Sequence, residues 1–373
     1  MQTRVKFSTM VASLALAFGA ATANAEISGG VVKIGVMNDM SGLYADIGGP
    51  GSVVAAKLAV EDFQKQFNPK FKIEIVSADH QNKPDVGSNV ARQWYDTDGV
   101  DAIADVPTSS VALAVSQVTR DKNKAFLATG PGSSDLTGKA CSPNTVHFLY
   151  DTWMLAHGTG TAVTKNGGDT WFFLTADYAF GHALERDTAE AVIGLANAGG
   201  DTINSIKQAA EFGIVKGGQS LAGLLVFITD VHGLGLEKAQ GLLLTETFYW
   251  DHDDKTREWS KRFAAANKGI YPSSDHAGVY AVVLDYLKAV KEIDSDDGAK
   301  AVAQMKSRPA EDPLFGKSTT RIDGRTLHPA YLFEVKKPSE SKGPYDYYKL
   351  RATIPANEAF RPLNEGGCPL VKS

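Results

Sequence analysis

From Val31 onward, short apolar runs alternate with longer stretches whose apolar residues recur every three or four positions. The run VVKIGVM (31–37) reads as a buried strand, and SVVAAKLAVEDFQKQF (52–67) sets Val53, Ala56, Val60, Phe63 and Phe67 on one face of a helix. FKIEIVSAD (71–79) is a second strand, and Pro84 opens the helix of PDVGSNVARQWYDT (84–97). AIADV (102–106) and AFLATG (125–130) continue the series, joined by SSVALAVSQVTRDKN (109–123), which has the spacing of a crossover helix. Such alternation predicts a parallel sheet with helices on both faces.

The alternation starts again after TVHFLYDTW (145–153). Helices are expected over 151–166, 183–192 and 200–213, and strands over 170–177, 193–198, 221–230 and 241–250. Helices over 253–267 and 274–293 follow, then polar-apolar strands over 330–337 and 345–354. The expected fold is α/β, with two doubly wound parallel-sheet lobes joined by three crossovers near Tyr150, Tyr249 and Thr326. Residues 26–149 and 250–325 would form lobe 1, residues 150–249 and 326–360 lobe 2, and 361–373 a tail returning to lobe 1.

In open parallel sheets, the loops at the carboxyl ends of the strands line the ligand crevice, and a helix starting there points free N–H groups at it. PTSS (107–110) and GPGSS (130–134) occupy such ends on neighbouring strands. Thr108, Ser109, Gly130, Gly132 and Ser133 are therefore candidates to hold something small and anionic. Either loop alone is equally well a turn or a helix cap. YAFG (178–181) and FITDVH (227–232) at the corresponding ends of the second lobe shift the balance toward a site. Tyr178 and Phe180 are core aromatics or ligand walls; Asp230, ending an apolar strand, needs solvent, a helix to cap, or a ligand ammonium or hydroxyl.

The first 25 residues change the picture of where the chain works. Arg4 and Lys6 precede an apolar run from Met10 to Ala21 and a small-x-small site at Ala23-Asn24-Ala25, the pattern of a signal peptide cleaved before Glu26. Its removal takes the formal net charge from -5 to -7, which argues against nucleic acid as a partner. The 2 cysteines, Cys141 and Cys368, exclude a disulfide-dense scaffold; in an oxidising compartment they either bridge, tying the tail to the first lobe, or remain as buried thiols.

Enzyme signatures are weak. GGPG (48–51) fails as a dinucleotide fingerprint, because Val54 stands where the last glycine belongs. GQSLA (218–222) resembles a nucleophile elbow, but Ser220 opens an apolar strand where the motif requires strand, serine, helix. DHDD (251–254) precedes a helix, where acidic residues suit the dipole as well as they would suit a metal. No cofactor is implied.

The opening VVKIGVMNDMSG, the PTSS and GPGSSDLTG loops, TADYAFG and FITDVHGLGLEKAQGLLLTETFYWD together resemble the leucine/isoleucine/valine-binding family of periplasmic solute receptors. The resemblance implies a monomeric receptor that closes on a small carboxylate and delivers it to an ABC-type permease in the inner membrane. It implies a hydroxyl contact from Thr108, backbone contacts from Gly130 and Gly132 beside Ser133, an aromatic wall at Phe180, further second-lobe contacts at Asn197 and Asp230, and Tyr280 near the rim. Ile47 stands where amino-acid receptors commonly have tyrosine. FYWDHDDKTREWSKRF and the segment from Asp312 resemble a subgroup linked with aromatic acids, for which Tyr178 and Phe180 would stack on the ring. The resemblance thus implies as ligand a branched-chain or aromatic amino acid, or an aromatic carboxylic acid. A sensory receptor for a membrane signalling protein shares these features, and an exported hydrolase would need Ser220 or a metal. Relatives also carry a strand and helix between 183–192 and 193–198; here Val192 runs straight into Ile193, so the second lobe is expected to be shortened.

Overall fold

The structure is a computed structural model that describes residues 27–165, 174–189, 195–212 and 223–372. The signal segment, the Val192–Ile193 junction and Ser220 lie outside the described residues.

The first lobe is built as the apolar runs predict. β1 (Val31–Asn38), α1 (Gly49–Phe67), β2 (Lys72–Asp79), α2 (Pro84–Asp96), β3 (Ala102–Asp105), α3 (Ser109–Asp121), β4 (Ala125–Ala128) and β5 (Thr145–His147) follow one another. The five strands form one parallel sheet in the order β2-β1-β3-β4-β5, with Ile34 facing Ile75 on one side and Ala102 on the other. α2 and α3 cover one face over Met37, Ile103 and Phe126. The other face carries Val32, Ile34 and Val36 against α1.

The second lobe starts with α4 (Thr152–Lys165), β6 (Leu174–Thr175), α5 (Ala179–Ala189), β7 (Leu195–Ala196) and α6 (Gly200–Glu211). β6 and β7 pair in parallel. The apolar stretch 221–230 is not the expected strand. Its described part is irregular up to Phe227, then turns into α7 (Ile228–Leu234), followed by α8 (Leu236–Ala239). The Asp230 carboxylate accepts the Phe227 N–H at 2.9 Å and so starts that helix; a short buried apolar run does not by itself choose between strand and helix.

β8 (Leu243–Glu246) leads back to the first lobe through α9 (Asp254–Ala266), α10 (Ser274–Ile293) and α11 (Gly298–Ser307). α10 is buried along nearly its whole length and packs on α1, which is why its sequence is apolar on every side. Asp253 caps α9, accepting the Thr256 N–H at 2.9 Å, while Asp251 and Asp254 pair with Arg257, so DHDD serves the helix start. Sequence periodicity missed α11 and the antiparallel sheet of β9 (Ala310–Asp312), β10 (Gly316–Thr320) and β11 (Thr326–Leu327). The Asp323-Gly324 turn, with Gly324 at φ +91°, is the hairpin signal that marks it. β12 (Ala330–Val335) then pairs antiparallel with both β8 and β13 (Tyr348–Ile354). Cys141 and Cys368 form a disulfide, Cα–Cα 5.6 Å, which ties the tail to the loop after β4.

Candidate functional site

The strand order reverses between β1 and β3, and in a doubly wound sheet this is where a ligand crevice opens. The loop after β1 is organised by Asp39, whose carboxylate accepts the N–H groups of Gly42 (2.7 Å) and Tyr44 (3.0 Å) and the Asn82 amide (2.6 Å). That turn delivers Tyr44 and Ile47 to the crevice. At the end of β3, Asp105 and Val106 both adopt left-handed backbone conformations, φ +78° and +63°, costly for a β-branched residue. The bend is held by the Val106 N–H on the Met37 carbonyl (2.9 Å), and by the Thr129 hydroxyl (3.1 Å) and Asn38 amide on the Asp105 carboxyl. It brings Pro107 into the crevice beside Gly130 and Gly132 of the next loop.

The second lobe closes the crevice with Tyr178, Phe180, Ala198, Leu225 and Phe227, and Tyr150 enters from the crossover. The Tyr150 hydroxyl donates to the Gly130 carbonyl at 2.6 Å, and its ring meets Phe227 edge-on at 5.7 Å. Tyr44 and Tyr178, one from each lobe, join hydroxyls at 2.6 Å. Gly132 lies so close to Phe180 that a Cβ there would stand 2.7 Å from the ring. Gly199, at φ +54°, likewise lets the start of α6 approach the Leu43 carbonyl, 2.6 Å from where a Cβ would be. The remaining cavity is about 10 Å³, the room of roughly one water molecule, so the cleft is shut.

Among the described residues, no charged side chain lines this cleft. Buried acids surround it instead, and burial holds each toward its neutral form: Asp105, behind Gly130, is raised to about 6, Asp230 to about 7 and Glu246 to about 8. Asp275, buried beside Asp105, is raised well above the ordinary carboxylate range. Burial also raises the phenols of Tyr44 and Tyr178, so both are neutral at physiological pH.

The structure brings Gly130, Gly132, Tyr178 and Phe180 together in the cleft wall. Thr108, Ser109 and Ser133 sit just behind it, with their hydroxyls turned to protein: Thr108 to the Asn82 side-chain carbonyl, Ser109 accepting the Ser133 N–H (3.1 Å), and Ser133 accepting the Asp135 N–H (3.4 Å). Asn197 adjoins the lining residue Ala198, yet its side chain bonds Thr202 (2.7 Å) and Ser205 (3.1 Å). Asp230 is occupied with the N–H of Phe227, a helix-capping role. Tyr280 is not at the rim: α10 is a buried helix, and the Tyr280 hydroxyl donates to Asp62 at 2.8 Å while its ring packs on Trp259. Sequence reasoning missed Tyr44, Tyr150, Ala198, Leu225 and Phe227 as lining residues. The position of Tyr44 in the loop after the first strand was the available signal.

The periplasmic binding protein family model matches residues 31–193 and 189–344. The chain belongs to that family, one of solute-binding receptors, and membership implies a periplasmic location. The two matched stretches meet at 189–193, around the abrupt junction noted in the sequence. Among solved structures, a periplasmic binding protein from Burkholderia mallei is 47% identical, aligned over 92% of this chain and 100% of that one, with a TM-score of 0.88. A branched-chain amino acid ABC transporter periplasmic ligand-binding protein from Burkholderia xenovorans LB400 is 35% identical over 91% of this chain and 99% of that one, TM-score 0.81. A solute-binding protein of an ABC transporter from Rhodopseudomonas palustris BisB5, in complex with 3,4-dihydroxybenzoic acid, shares the fold at 21% identity over 88% and 98%, TM-score 0.76. No curated protein matches the chain.

Proposed function

We propose that this chain is the solute receptor of an ABC-type importer and that its ligand is a small aromatic carboxylate. One observation carries the choice of ligand: the cleft is walled by Tyr44, Tyr150, Tyr178, Phe180 and Phe227 and, among the described residues, offers no charged side chain. A flat ring matches such walls. An amino-acid ammonium would need an anion, and Asp230, the acid beside the lining residue Phe227, is spent on the Phe227 N–H and held toward neutrality. The carboxylate would be received by backbone N–H groups of the first turn of α3, where Thr108 makes no side-chain cap, and by that of Gly132, since the Ser133 and Ser134 N–H groups are taken by the hydroxyls of Ser109 and Thr152. The 35% identical Burkholderia relative, a branched-chain amino acid ABC transporter periplasmic ligand-binding protein, is compatible with the scaffold role and leaves the ligand to the lining.

The same reading makes the mature protein a monomer beginning at Glu26, partnered by an inner-membrane permease. It also makes the 189–193 junction the point where one strand-helix unit of the family is missing from the second lobe, which is supported by the doubled match there. A thermal-shift screen of the mature chain against benzoates, aromatic amino acids and branched-chain amino acids tests the ligand class. Only a ligand that prefers the folded state raises the melting temperature. A rise with benzoates and none with zwitterionic amino acids is expected; the reverse pattern would overturn the aromatic-acid reading.

A further inference from the structure

The three phenol hydroxyls in the cleft differ in what they have left to offer. Tyr150 has committed its hydrogen to the Gly130 carbonyl. Tyr44 and Tyr178 are bonded to each other at 2.6 Å, across the two lobes, and neither has another hydrogen-bond partner among the described residues. One of the two hydroxyls donates and the other accepts. The acceptor keeps its own O–H unspent, and both oxygens keep lone pairs. The pair thus presents one donor and one acceptor with no charge.

A carboxylate only accepts and brings a charge that this pair does not compensate; an ammonium only donates and has the same defect. A hydroxyl matches both functions. We propose that Tyr44 and Tyr178 form the subsite for a hydroxyl group on the ligand's aromatic ring, which bonds one tyrosine from each lobe and so reads the ring substituent as the lobes meet. This subsite rests on the aromatic-carboxylate reading above. When the ligand lacks the hydroxyl, the tyrosines satisfy each other, so the discrimination is that of an ordinary neutral hydrogen bond rather than of an orphaned polar group.

Titration calorimetry with benzoate, 3-hydroxybenzoate and 4-hydroxybenzoate, on the wild-type protein and on Tyr44→Phe and Tyr178→Phe, tests it. The wild type is expected to bind one of the hydroxybenzoates about tenfold more tightly than benzoate, the size of one net hydrogen bond. Each Phe variant keeps its ring in the wall and is expected to shrink that preference to about threefold or less, with benzoate affinity nearly unchanged. A preference that survives both substitutions overturns the subsite. So does a loss of benzoate binding as large as that of the hydroxybenzoates, which would assign the pair to the carboxylate. If the wild type binds none of the three, the functional reading itself fails, and the subsite with it. Melting temperatures of the variants show that they are folded, and either one carries the test alone.

Discussion

Arg325 and Asp151 form an ion pair at 3.3 Å in which both side chains are buried. Arg325 also donates to the carbonyls of His147, Leu149 (2.8 Å) and Tyr150 (3.3 Å), and its ring neighbour is Phe360 at 4.6 Å. Two chain segments that pass between the lobes, 147–151 and 325–328, are thereby fastened side by side. Burial lowers the guanidinium to about 10, so it stays charged at neutral pH.

Arg325→Ala is expected to destabilise the protein by about 3 to 5 kcal/mol, because it strands a buried carboxylate and several carbonyls. Urea denaturation measures it. A loss of less than about 1 kcal/mol would show that water or rearranged side chains replace the guanidinium.

The Cys141–Cys368 bridge closes a loop with a sequence separation of 227 residues. Reduction, or the Cys141→Ser/Cys368→Ser double variant, is expected to cost about 2 to 5 kcal/mol of stability. Ligand affinity should stay within about twofold, since neither cysteine lines the cleft. Denaturation with and without reductant, alongside a ligand titration, separates the two effects.

The first lobe was legible because its inner strands β1, β3 and β4 are buried on both faces and its helices are amphipathic, so the period switches cleanly from run to helix. The loops at 107–110 and 130–134 could be assigned to the crevice for the same reason. The individual contacts could not. Whether a serine hydroxyl faces a ligand or the next N–H, as Ser133 does, depends on local turn geometry that residue type does not encode. The second lobe misled at 221–230, where one carboxylate, that of Asp230, turns an apolar run into a helix start. Tyr44 was hidden because the loop carrying it is shaped by Asp39, whose partners come from 82 as well as from its own turn.

Stability is expected to fall as pH rises from 6.5 to 8. Burial lifts Glu246 from 4.5 to about 8, so the folded chain holds a proton that the unfolded chain has released; this contribution is complete below 4.5 and is lost as pH climbs to 8. Asp275 and Asp230 act with the same sign. His80, His276 and His328 act oppositely, because burial lowers each to about 4 and the unfolded chain binds the extra protons only below 6.5. Above 6.5 the carboxyls set the sign, opposed only toward pH 8 by Lys306, whose ammonium burial lowers to about 8; one carboxyl contributes up to about 2 kcal/mol over that window. Glu246→Gln should flatten the slope of melting temperature against pH by that share; an unchanged slope would mean that Glu246 is ionised in the fold.

At Gly132 the backbone of the first lobe comes directly against a ring of the second. A methyl group there would stand 2.7 Å from the Phe180 ring and 3.4 Å from that of Tyr150. Phe180 is almost fully buried, at 2% exposure, so its ring has little room to yield while the cleft is shut. Gly132→Ala should thus penalise the closed arrangement more than the fold of the first lobe, whose strand β4 ends before it at Ala128. The expected result is a ligand affinity lower by about tenfold, equivalent to about 1.4 kcal/mol against closure, with a melting temperature that moves only a few degrees in the absence of ligand. Phe180→Leu should restore part of that affinity in the Gly132→Ala background by clearing the clash, and should weaken binding when made alone by removing a ring from the wall. Additive losses from the two substitutions would show that Gly132 matters for a reason other than the approach of Phe180.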